Sequence, residues 1–258
     1  MSRFDFTGKR VLVTGASHGI GAAVATAFAE AGADLAILSS TQDIVETGRD
    51  IAAAAGRPVT AEICDITDRA AVKRVVGGLG RLDVLVNNVG LELITPILEP
   101  GDEVERTFER IIQINVIGTY YVTREAVKSM LSGGSIVMTA SVWGKTAAAE
   151  FSAYVTSKHA NIGFMRTMAR ELGPRGIRVN AVCPGWVKTR AALRSLTNMS
   201  KRAKRAEQEM LNDILAAQCL TGLMEPEDVT SLYLFLASDA ARNITGQAYN
   251  VDRGEILS

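Results

Sequence analysis

Short apolar segments alternate with longer segments whose apolar residues recur at helical spacing, and this alternation continues along most of the chain. The short segments are nearly continuous in hydrophobic residues, as in RVLVTG at 10–15, which is typical of strands buried on both faces of a sheet. Segments of this kind predict seven strands, at 10–15, 34–39, 58–65, 82–88, 134–141, 177–184 and 246–252.

The longer segments predict the helices that connect these strands. They lie at 20–31, 42–55, 67–78, 102–131, 152–172 and 226–237. We expect the longest of them to break or bend near Gly118. Strands that alternate with helices form a mostly parallel sheet with helices wound on both faces, so the predicted fold class is α/β and doubly wound. Because we find no internal repeat and no low-complexity linker, we expect a single domain over residues 1–258.

Composition and charge argue against several classes of partner. With 28 Lys and Arg against 28 Asp and Glu, the chain has no net charge suited to nucleic acid. The N-terminal segment MSRFDFTGKR does not resemble a signal peptide, and no apolar stretch approaches the ~20 residues of a membrane span. The three widely spaced cysteines predict neither a disulfide framework nor a metal cluster. We therefore expect a cytoplasmic protein with no nucleic-acid partner, no membrane association and no bound metal.

A glycine-rich turn follows the first predicted strand. In TGASHGIG, at 14–21, glycines stand at 15, 19 and 21, just before a predicted helix. The spacing differs from the general G-x-G-x-x-G fingerprint of dinucleotide-binding proteins, but the physical reason for the glycines is the same. They let the backbone turn tightly and approach a pyrophosphate, while the helix N-terminus offers unpaired N–H groups. This turn predicts a dinucleotide site.

A tyrosine and a lysine, Tyr154 and Lys158, stand four residues apart in the predicted helix at 152–172. Side chains at this spacing share one helix face. A free tyrosine has a pKa of about 10, and a neighbouring ammonium group favours the phenolate and lowers that value. Taken alone, the pair is also compatible with an ordinary solvated helix face.

In these segments the chain resembles the classical short-chain dehydrogenases/reductases over essentially its whole length. The matching segments, in family order, are TGASHGIG (14–21), CDI (64–66), NNVG (87–90), IIQIN (111–115), SIVMTAS (135–141), YVTSK (154–158), RVNAVCPGWVKT (178–189) and TGQAYNVD (245–252). The resemblance implies a Rossmann fold with a variable helical lid at about 190–220. It also implies an NAD(P)-dependent oxidoreductase that transfers a hydride between a CH–OH group and its carbonyl form.

The resemblance assigns roles to four residues. Tyr154 is expected to act as the acid or base, and Lys158 to lower its pKa and bind the nicotinamide ribose. Ser141 is expected to hydrogen-bond the substrate oxygen. Asn115 matches the asparagine that bends the long helix and holds a water on the proton path to the lysine.

Cofactor contacts follow from the same matching. The expected cofactor-binding residues are Gly15, Ser17, His18, Gly19, Ile20, Gly21, Ser39, Ser40, Asp65, Ile66, Asn88, Gly90, Tyr154, Lys158, Pro184, Gly185, Val187 and Thr189. Two residues depart from the family pattern. Val89 replaces the usual alanine, and Arg253 stands where glycine is common; we expect Arg253 to be a surface residue.

The sequence leaves open whether the cofactor is NAD or NADP. At the end of the second strand, Ser39 stands where NAD-specific relatives carry aspartate, and Ser40 stands where NADP-specific relatives often carry arginine. With neither charge present, neither cofactor is excluded. His18 occupies a position in the glycine turn that is often basic in NADP users.

On the substrate side, Glu92 resembles a glutamate of bacterial glucose dehydrogenases that binds sugar hydroxyls, and Trp143 is expected to form a wall beside Ser141 and Tyr154. We therefore favour a sugar or polyol as the small-molecule substrate. The alternatives are a 3-oxoacyl or other ketone reductase and, more remotely, a non-catalytic cofactor-binding scaffold. We expect Glu150 and the basic residues of 190–220 to be solvated, although a basic lid would also suit an anionic substrate.

The last elements of the chain are strongly apolar, at 229–238 and 246–252. Family relatives bury such surfaces between subunits in closed assemblies. We therefore expect a homotetramer.

Overall fold

The computed structural model describes residues 4–257 as a single domain built on one sheet. The sheet has seven strands in the order β3-β2-β1-β4-β5-β6-β7. All six strand pairs are parallel, which sharpens the prediction of a mostly parallel sheet. The strands are β1 (Arg10–Thr14), β2 (Asp34–Ser39), β3 (Val59–Ile63), β4 (Leu82–Asn87), β5 (Met130–Thr139), β6 (Arg178–Pro184) and β7 (Ala248–Val251). Residues 1–3 and 258 of the predicted domain lie outside the described residues.

Helices connect the strands and cover both faces of the sheet. They are α1 (Gly19–Glu30), α2 (Asp43–Ala55), α3 (Arg69–Gly78), α4 (Asp102–Ile112), α5 (Thr119–Ala126), α6 (Ser152–Leu172), α7 (Arg190–Ala203), α8 (Glu207–Ala216) and α9 (Thr230–Ala237). The first switch of winding direction lies beside β1, because β2 and β4 flank it. A ligand cleft is expected at the carboxyl ends of the strands at such a point.

Alternate residues of the central strands pack into opposite layers of the core. Val11 and Val13 contact the layer of α1, α2 and α9, whereas Leu12 between them contacts the layer of α3, α5 and α6. Leu35 and Leu38 on β2 divide in the same way. Because both faces are covered, the middle positions of β1, β2 and β4 are almost all apolar, which is why these strands appear as continuous hydrophobic runs.

The predicted helix at 102–131 is wrong at its C-terminal end. Regular helix stops at Ala126, and β5 already begins at Met130. The predicted break is present as a wide π-helical turn at Gln113–Gly118. At Gly118 a Cβ atom would lie 2.6 Å from Cγ1 of Ile66, so glycine permits this helix to approach the loop after β3.

Arg253 is not the free surface residue that the sequence predicted. Its φ of 54° lies in the left-handed region, which explains why a glycine is common at this position. Its guanidinium is half-buried, donates to the Thr221 carbonyl oxygen at 2.7 Å and lies 3.7 Å from Asp228. Arg253 therefore ties the end of the 190–220 segment to the C-terminal loop.

Within residues 4–257, no helix combines the length and the apolar character needed to cross a bilayer.

Candidate active site

Two adjoining cavities lie at the carboxyl ends of the strands. The larger, which we call the outer cleft, has a volume of about 500 Å³ and extends from the glycine turn to the ends of β2 and β3. The smaller, which we call the inner pocket, has about 160 Å³ and reaches Tyr154 on α6. Ile20, Asn88, Gly90 and Thr189 line both cavities, so the two form one continuous site.

The glycine turn forms the floor of the outer cleft. Gly15 and Gly19 have φ of 65° and 56°, which L side chains rarely adopt. A Cβ on Gly21 would lie 2.2 Å from the carbonyl oxygen of Gly15 and 2.4 Å from Nδ2 of Asn88. The backbone of residues 15–21 forms a concave turn, which we call the cradle, beside the N-terminus of α1. Only glycines at 15, 19 and 21 leave it open. The cradle therefore fits the pyrophosphate that the sequence predicted.

A hydrogen-bonded relay that the sequence analysis missed holds the cradle in place. Thr139 at the end of β5 contacts the Tyr233 hydroxyl at 2.9 Å and donates to Oδ1 of Asn88 at 3.0 Å. Asn88 in turn donates to the Gly15 carbonyl oxygen at 3.1 Å. Thr14 accepts from the Asn88 backbone N–H at 3.0 Å. The relay links four distant segments, so no local motif could have revealed it.

The far end of the outer cleft is lined by Ser17, Ser39 and Ser40, together with Asp65 and Ile66. The hydroxyls of Ser17 and Ser39 lie 3.1 Å apart. The Asp65 carboxylate accepts from the backbone and hydroxyl of Thr67, so it is held by its own turn. These predicted residues therefore share one wall. Val89, which replaces the usual alanine, lines this cleft and also packs against the core.

Tyr154 and Lys158 lie on the face of α6 that lines the inner pocket. Lys158 is 2% exposed and its Nζ donates to the Thr139 carbonyl oxygen at 2.8 Å. The same Nζ lies 5.4 Å from the centroid of the Tyr154 ring. Burial lowers the pKa of Lys158 to about 8, although Cys183 and Glu92 oppose that shift. The pair therefore shares one wall, as its spacing predicted.

The pKa of Tyr154 moves in the direction opposite to the one we predicted. Burial raises it, the Glu92 carboxylate raises it further, and a hydrogen bond with Ser141 only partly offsets the increase. Lys158, whose Nζ lies 5.4 Å from the centroid of the Tyr154 ring, does not offset this increase. Burial therefore favours the protonated form of the phenol.

Ser141 lies just after β5 in the inner pocket. Its hydroxyl accepts from the Trp143 backbone N–H at 3.1 Å and caps the short turn Val142–Gly144. The cap fixes the hydroxyl on the Tyr154 side of the pocket. The side chain predicted to bind the substrate oxygen thus also has a structural role as a cap.

Asn115 is fully buried within the π-helical turn. Its amide accepts from the Leu91 N–H at 2.7 Å and donates to the Leu91 carbonyl oxygen at 2.9 Å. It also donates to the Ser157 hydroxyl at 2.9 Å. Asn115 therefore fastens the start of the 91–99 loop to α6, the helix that carries Tyr154.

Glu92, the next residue on this loop, lines the inner pocket together with Ser141 and Tyr154. Burial raises the pKa of its carboxyl group, while a hydrogen bond from Ser195 and the charges of Arg194 and Lys158 act in the other direction. Arg194 also donates to the Glu92 carbonyl oxygen at 2.8 Å. The sequence analysis missed Ser195, because a serine in a polar helix gives no signal of its own.

Trp143 forms an apolar wall of the inner pocket, with its ring centroid 4.9 Å from that of Phe151 and 6.0 Å from that of Tyr154. Trp186 also lines this pocket and was not predicted. Pro184, the last residue of β6, and the following Gly185 and Val187 also line this pocket.

Thr189 caps α7 through the Ala192 N–H at 3.1 Å, and its Cγ2 would lie 3.0 Å from a Cβ on Gly19. Thr189 therefore closes the junction between the glycine turn and the 190–220 segment.

The basic residues of the 190–220 segment are exposed, as we expected, but some of them also make ion pairs. Arg202 makes ion pairs of 2.7 Å with Glu99 and 2.8 Å with Glu150. Glu150, expected to be solvated, has a φ of 67° and accepts from the Thr95 N–H through its own carbonyl oxygen. Arg202 therefore connects α7 to both loops that border the inner pocket.

Thr95 is a further residue that the sequence analysis missed. It is 1% exposed, and its hydroxyl accepts from the Ala153 N–H at 3.0 Å in the first turn of α6. It also lies 3.1 Å from the Ser152 hydroxyl. Thr95 thus caps the helix that carries Tyr154 from a distant loop.

Within the part of the chain that the structure describes, no group of three or more His, Cys, Asp or Glu side chains is arranged to hold a metal ion.

Comparison with known proteins identifies the family. The model described as Enoyl-(Acyl carrier protein) reductase matches residues 15–255. Oxidoreductase UcpA of Salmonella typhimurium is 37% identical over 97% of this chain and 95% of its own length. A short chain dehydrogenase from Burkholderia cenocepacia, solved with NADP, has a TM-score of 0.84 at 31% identity and covers 97% of this chain and 98% of its own. The chain belongs to the short-chain dehydrogenase/reductase family.

This short-chain dehydrogenase/reductase is therefore an NAD(P)-dependent oxidoreductase that acts on alcohol or ketone groups. L-Sorbose reductase from Gluconobacter frateurii, solved with NADPH and L-sorbose, is similar over the full length of both chains, with a TM-score of 0.89 at 25% identity. The predicted fold class and reaction class are confirmed, and these two solved relatives are complexes with NADP and NADPH.

Proposed function

We propose that this oxidoreductase interconverts the alcohol or cyclic hemiacetal of a sugar or polyol with its carbonyl form. The observation that carries the proposal is the Glu92 carboxylate inside the inner pocket. A carboxylate accepts hydrogen bonds only, and a polyhydroxy substrate supplies several O–H donors. The resemblance to L-sorbose reductase supports the same substrate class.

In the proposed mechanism, Tyr154 exchanges the proton of the substrate oxygen. Its raised pKa keeps the phenol protonated at neutral pH, which is the form that donates during reduction. Ser141 supplies a second hydrogen bond to the same oxygen and localises developing charge. The bound nicotinamide supplies or accepts the hydride.

Lys158 and Asn115 support this centre in the proposal. The pKa of about 8 leaves Lys158 charged at neutral pH, and the Gly90 backbone lies close to its Nζ, beside the outer cleft. That position suits a contact with the ribose of the cofactor. Asn115 fixes the loop that carries Glu92. We further propose that 190–220 is a lid, because Arg194 and Arg202 join it to both pocket loops.

The experiment is a panel of sugars, polyols, apolar ketones and 3-oxoacyl thioesters, assayed by nicotinamide absorbance with NAD and NADP. In Glu92→Gln we expect kcat/KM for the best polyol to fall about 10-fold or more, the scale of a lost charge-assisted hydrogen bond. Glu103→Gln, an exposed change on α4, is the control.

The second candidate is an apolar ketone reductase, which the indole walls of Trp143 and Trp186 favour. If apolar ketones are the best substrates and Glu92→Gln leaves their turnover unchanged, the sugar proposal is wrong. If no carbonyl or alcohol in the panel reacts, the substrate belongs to neither of the two proposed classes.

We also propose a homotetramer, although on a changed basis. The apolar residues of α9 that suggested an interface, such as Tyr233 and Leu236, are buried in the core of the same chain. The remaining feature is β7, an edge strand with Tyr249 at 36% exposure. An uncovered edge is a site for association with a second copy. Light scattering at micromolar concentration tests this, and a monomer would contradict it.

A further inference from the structure

Three polar side chains, His18, Asp43 and Arg190, meet at the rim of the outer cleft. Nε2 of His18, in the glycine turn, lies 2.9 Å from Oδ2 of Asp43 at the start of α2. The same nitrogen lies 3.1 Å from Nη1 of Arg190, the first residue of α7. The cluster therefore joins the cofactor cradle to the 190–220 segment, and none of its contacts belongs to the chemistry around Tyr154.

The two contacts of His18 compete with each other. A single imidazole nitrogen carries either one hydrogen or one lone pair, so it cannot donate to Asp43 and accept from Arg190 at once. One partner is always left without its hydrogen bond. Arg190, which is exposed, is therefore loosely held and free to serve an incoming acceptor.

The surroundings suit a phosphate group. His18, Ser39, Ser40 and Arg190 line the same cleft. The Ser17 and Ser39 hydroxyls are 3.1 Å apart and are neutral donors. Ser40, at the position that is often arginine in NADP users, supplies no positive charge. The end of β2 therefore has no arginine guanidinium, but the guanidinium of Arg190 lies across the cleft.

We propose that Arg190 binds the 2′-phosphate of NADP, so that α7 supplies the arginine that the end of β2 lacks. The guanidinium fork matches the oxygens of a phosphate. When Arg190 turns to the phosphate, His18 is left to Asp43 alone and the competition ends. The inference concerns the cofactor and does not depend on the proposed sugar substrate.

Binding of cofactors without substrate tests the proposal. The only two tryptophans, Trp143 and Trp186, both line the inner pocket, so their fluorescence reports NAD and NADP binding. Calorimetry with 2′,5′-ADP and 5′-AMP, which differ only in the 2′-phosphate, isolates the group in question. In Arg190→Ala we expect NADP and 2′,5′-ADP to bind about 10- to 100-fold more weakly. NAD and 5′-AMP should change less than about 3-fold.

Arg110→Ala is the matched control, because Arg110 lines the same cleft and its loss changes the net charge equally. It should leave the NADP-to-NAD ratio of dissociation constants unchanged. Arg190→Lys, which keeps the charge but loses the fork, should give an intermediate ratio. Thermal unfolding confirms that each variant is folded.

Two results would overturn the proposal. If Arg190→Ala weakens the binding of NAD and NADP equally, Arg190 contacts the pyrophosphate instead. If the affinity for NADP is unchanged, Arg190 binds no phosphate of the cofactor.

Discussion

The outer cleft and the inner pocket adjoin each other but are built in different ways. The cleft takes its shape from backbone: the left-handed glycines 15 and 19, the close approach at Gly21 and the ends of adjacent strands. The pocket takes its shape from side chains such as Glu92, Trp143 and Tyr154, which come from separate segments. Rigid elements of the sheet support the outer cleft, whereas contacts between loops support the inner pocket.

The contacts that hold the pocket differ accordingly. Asn115 fastens Leu91, Thr95 caps α6, and Arg202 joins Glu99 to Glu150. These bonds involve side chains that could change without disturbing the sheet. The cofactor site is therefore set by features that the whole fold requires, whereas substrate preference depends on loops that can vary independently. Each prediction below perturbs one side of this division.

The largest effect is expected from removing the Tyr154 hydroxyl. In Tyr154→Phe the ring is kept and the proton donor is lost, so turnover should fall about 10²-fold or more. Tryptophan fluorescence should show nearly unchanged cofactor binding. Near-normal turnover would exclude Tyr154 as the acid or base.

Filling the cradle should disrupt the outer cleft instead. In Gly21→Ala the new methyl group meets the Gly15 carbonyl oxygen, so the free energy of unfolding should fall by about 1–3 kcal/mol and cofactor binding should weaken. Denaturant titration measures the first effect. Gly163→Ala, in an open position on α6, is the control and should stabilise the helix by up to about 1 kcal/mol. Equal behaviour of the two variants would contradict the backbone argument.

A smaller effect is expected from releasing the pocket loops. Arg202→Ala removes both exposed ion pairs, so kcat/KM should fall about 3- to 10-fold while the dissociation constant of the cofactor stays the same. Arg205→Ala is the control, because Arg205 pairs only with Glu209 and Asp213 of α8 in the contacts described. An equal loss of kcat/KM in Arg205→Ala would show that removal of a positive charge, and not loss of the Arg202 ion pairs, causes the effect.

The smallest effect concerns stability and pH. Because the folded-state pKa of Glu92 is raised, its ionised carboxylate destabilises the folded protein, fully so above that raised value. This destabilisation disappears as the pH falls below about 4.3, the pKa of a glutamate in the unfolded chain. Glu92→Gln should therefore raise the melting temperature at pH 7, and the gain should shrink towards pH 4. The exposed carboxylate Glu46 supplies the control, Glu46→Gln. A gain that is independent of pH would refute the electrostatic explanation.

The sequence by itself determined the fold and predicted which residues form the chemical centre. Continuous apolar strands alternating with helices are a local pattern, and they gave β2 and α6 with the bounds that the structure has. The glycine turn and the spacing of Tyr154 and Lys158 are also local, because they depend on backbone freedom and on one helical turn. Their assembly into two adjoining cavities follows from the parallel order of the strands.

Only the tertiary structure decided how these groups are tuned and held. The raised pKa of Tyr154 arises from burial and from Glu92, which is 62 positions earlier in the sequence. The partners of Arg190, Arg202 and Thr95 are likewise remote in the chain. Desolvation and ion pairing depend on which surfaces meet after folding. Neither the spacing of residues nor the composition shows which surfaces these are. For this reason the chemistry of the centre could be predicted from residues, while its electrostatics required the folded molecule.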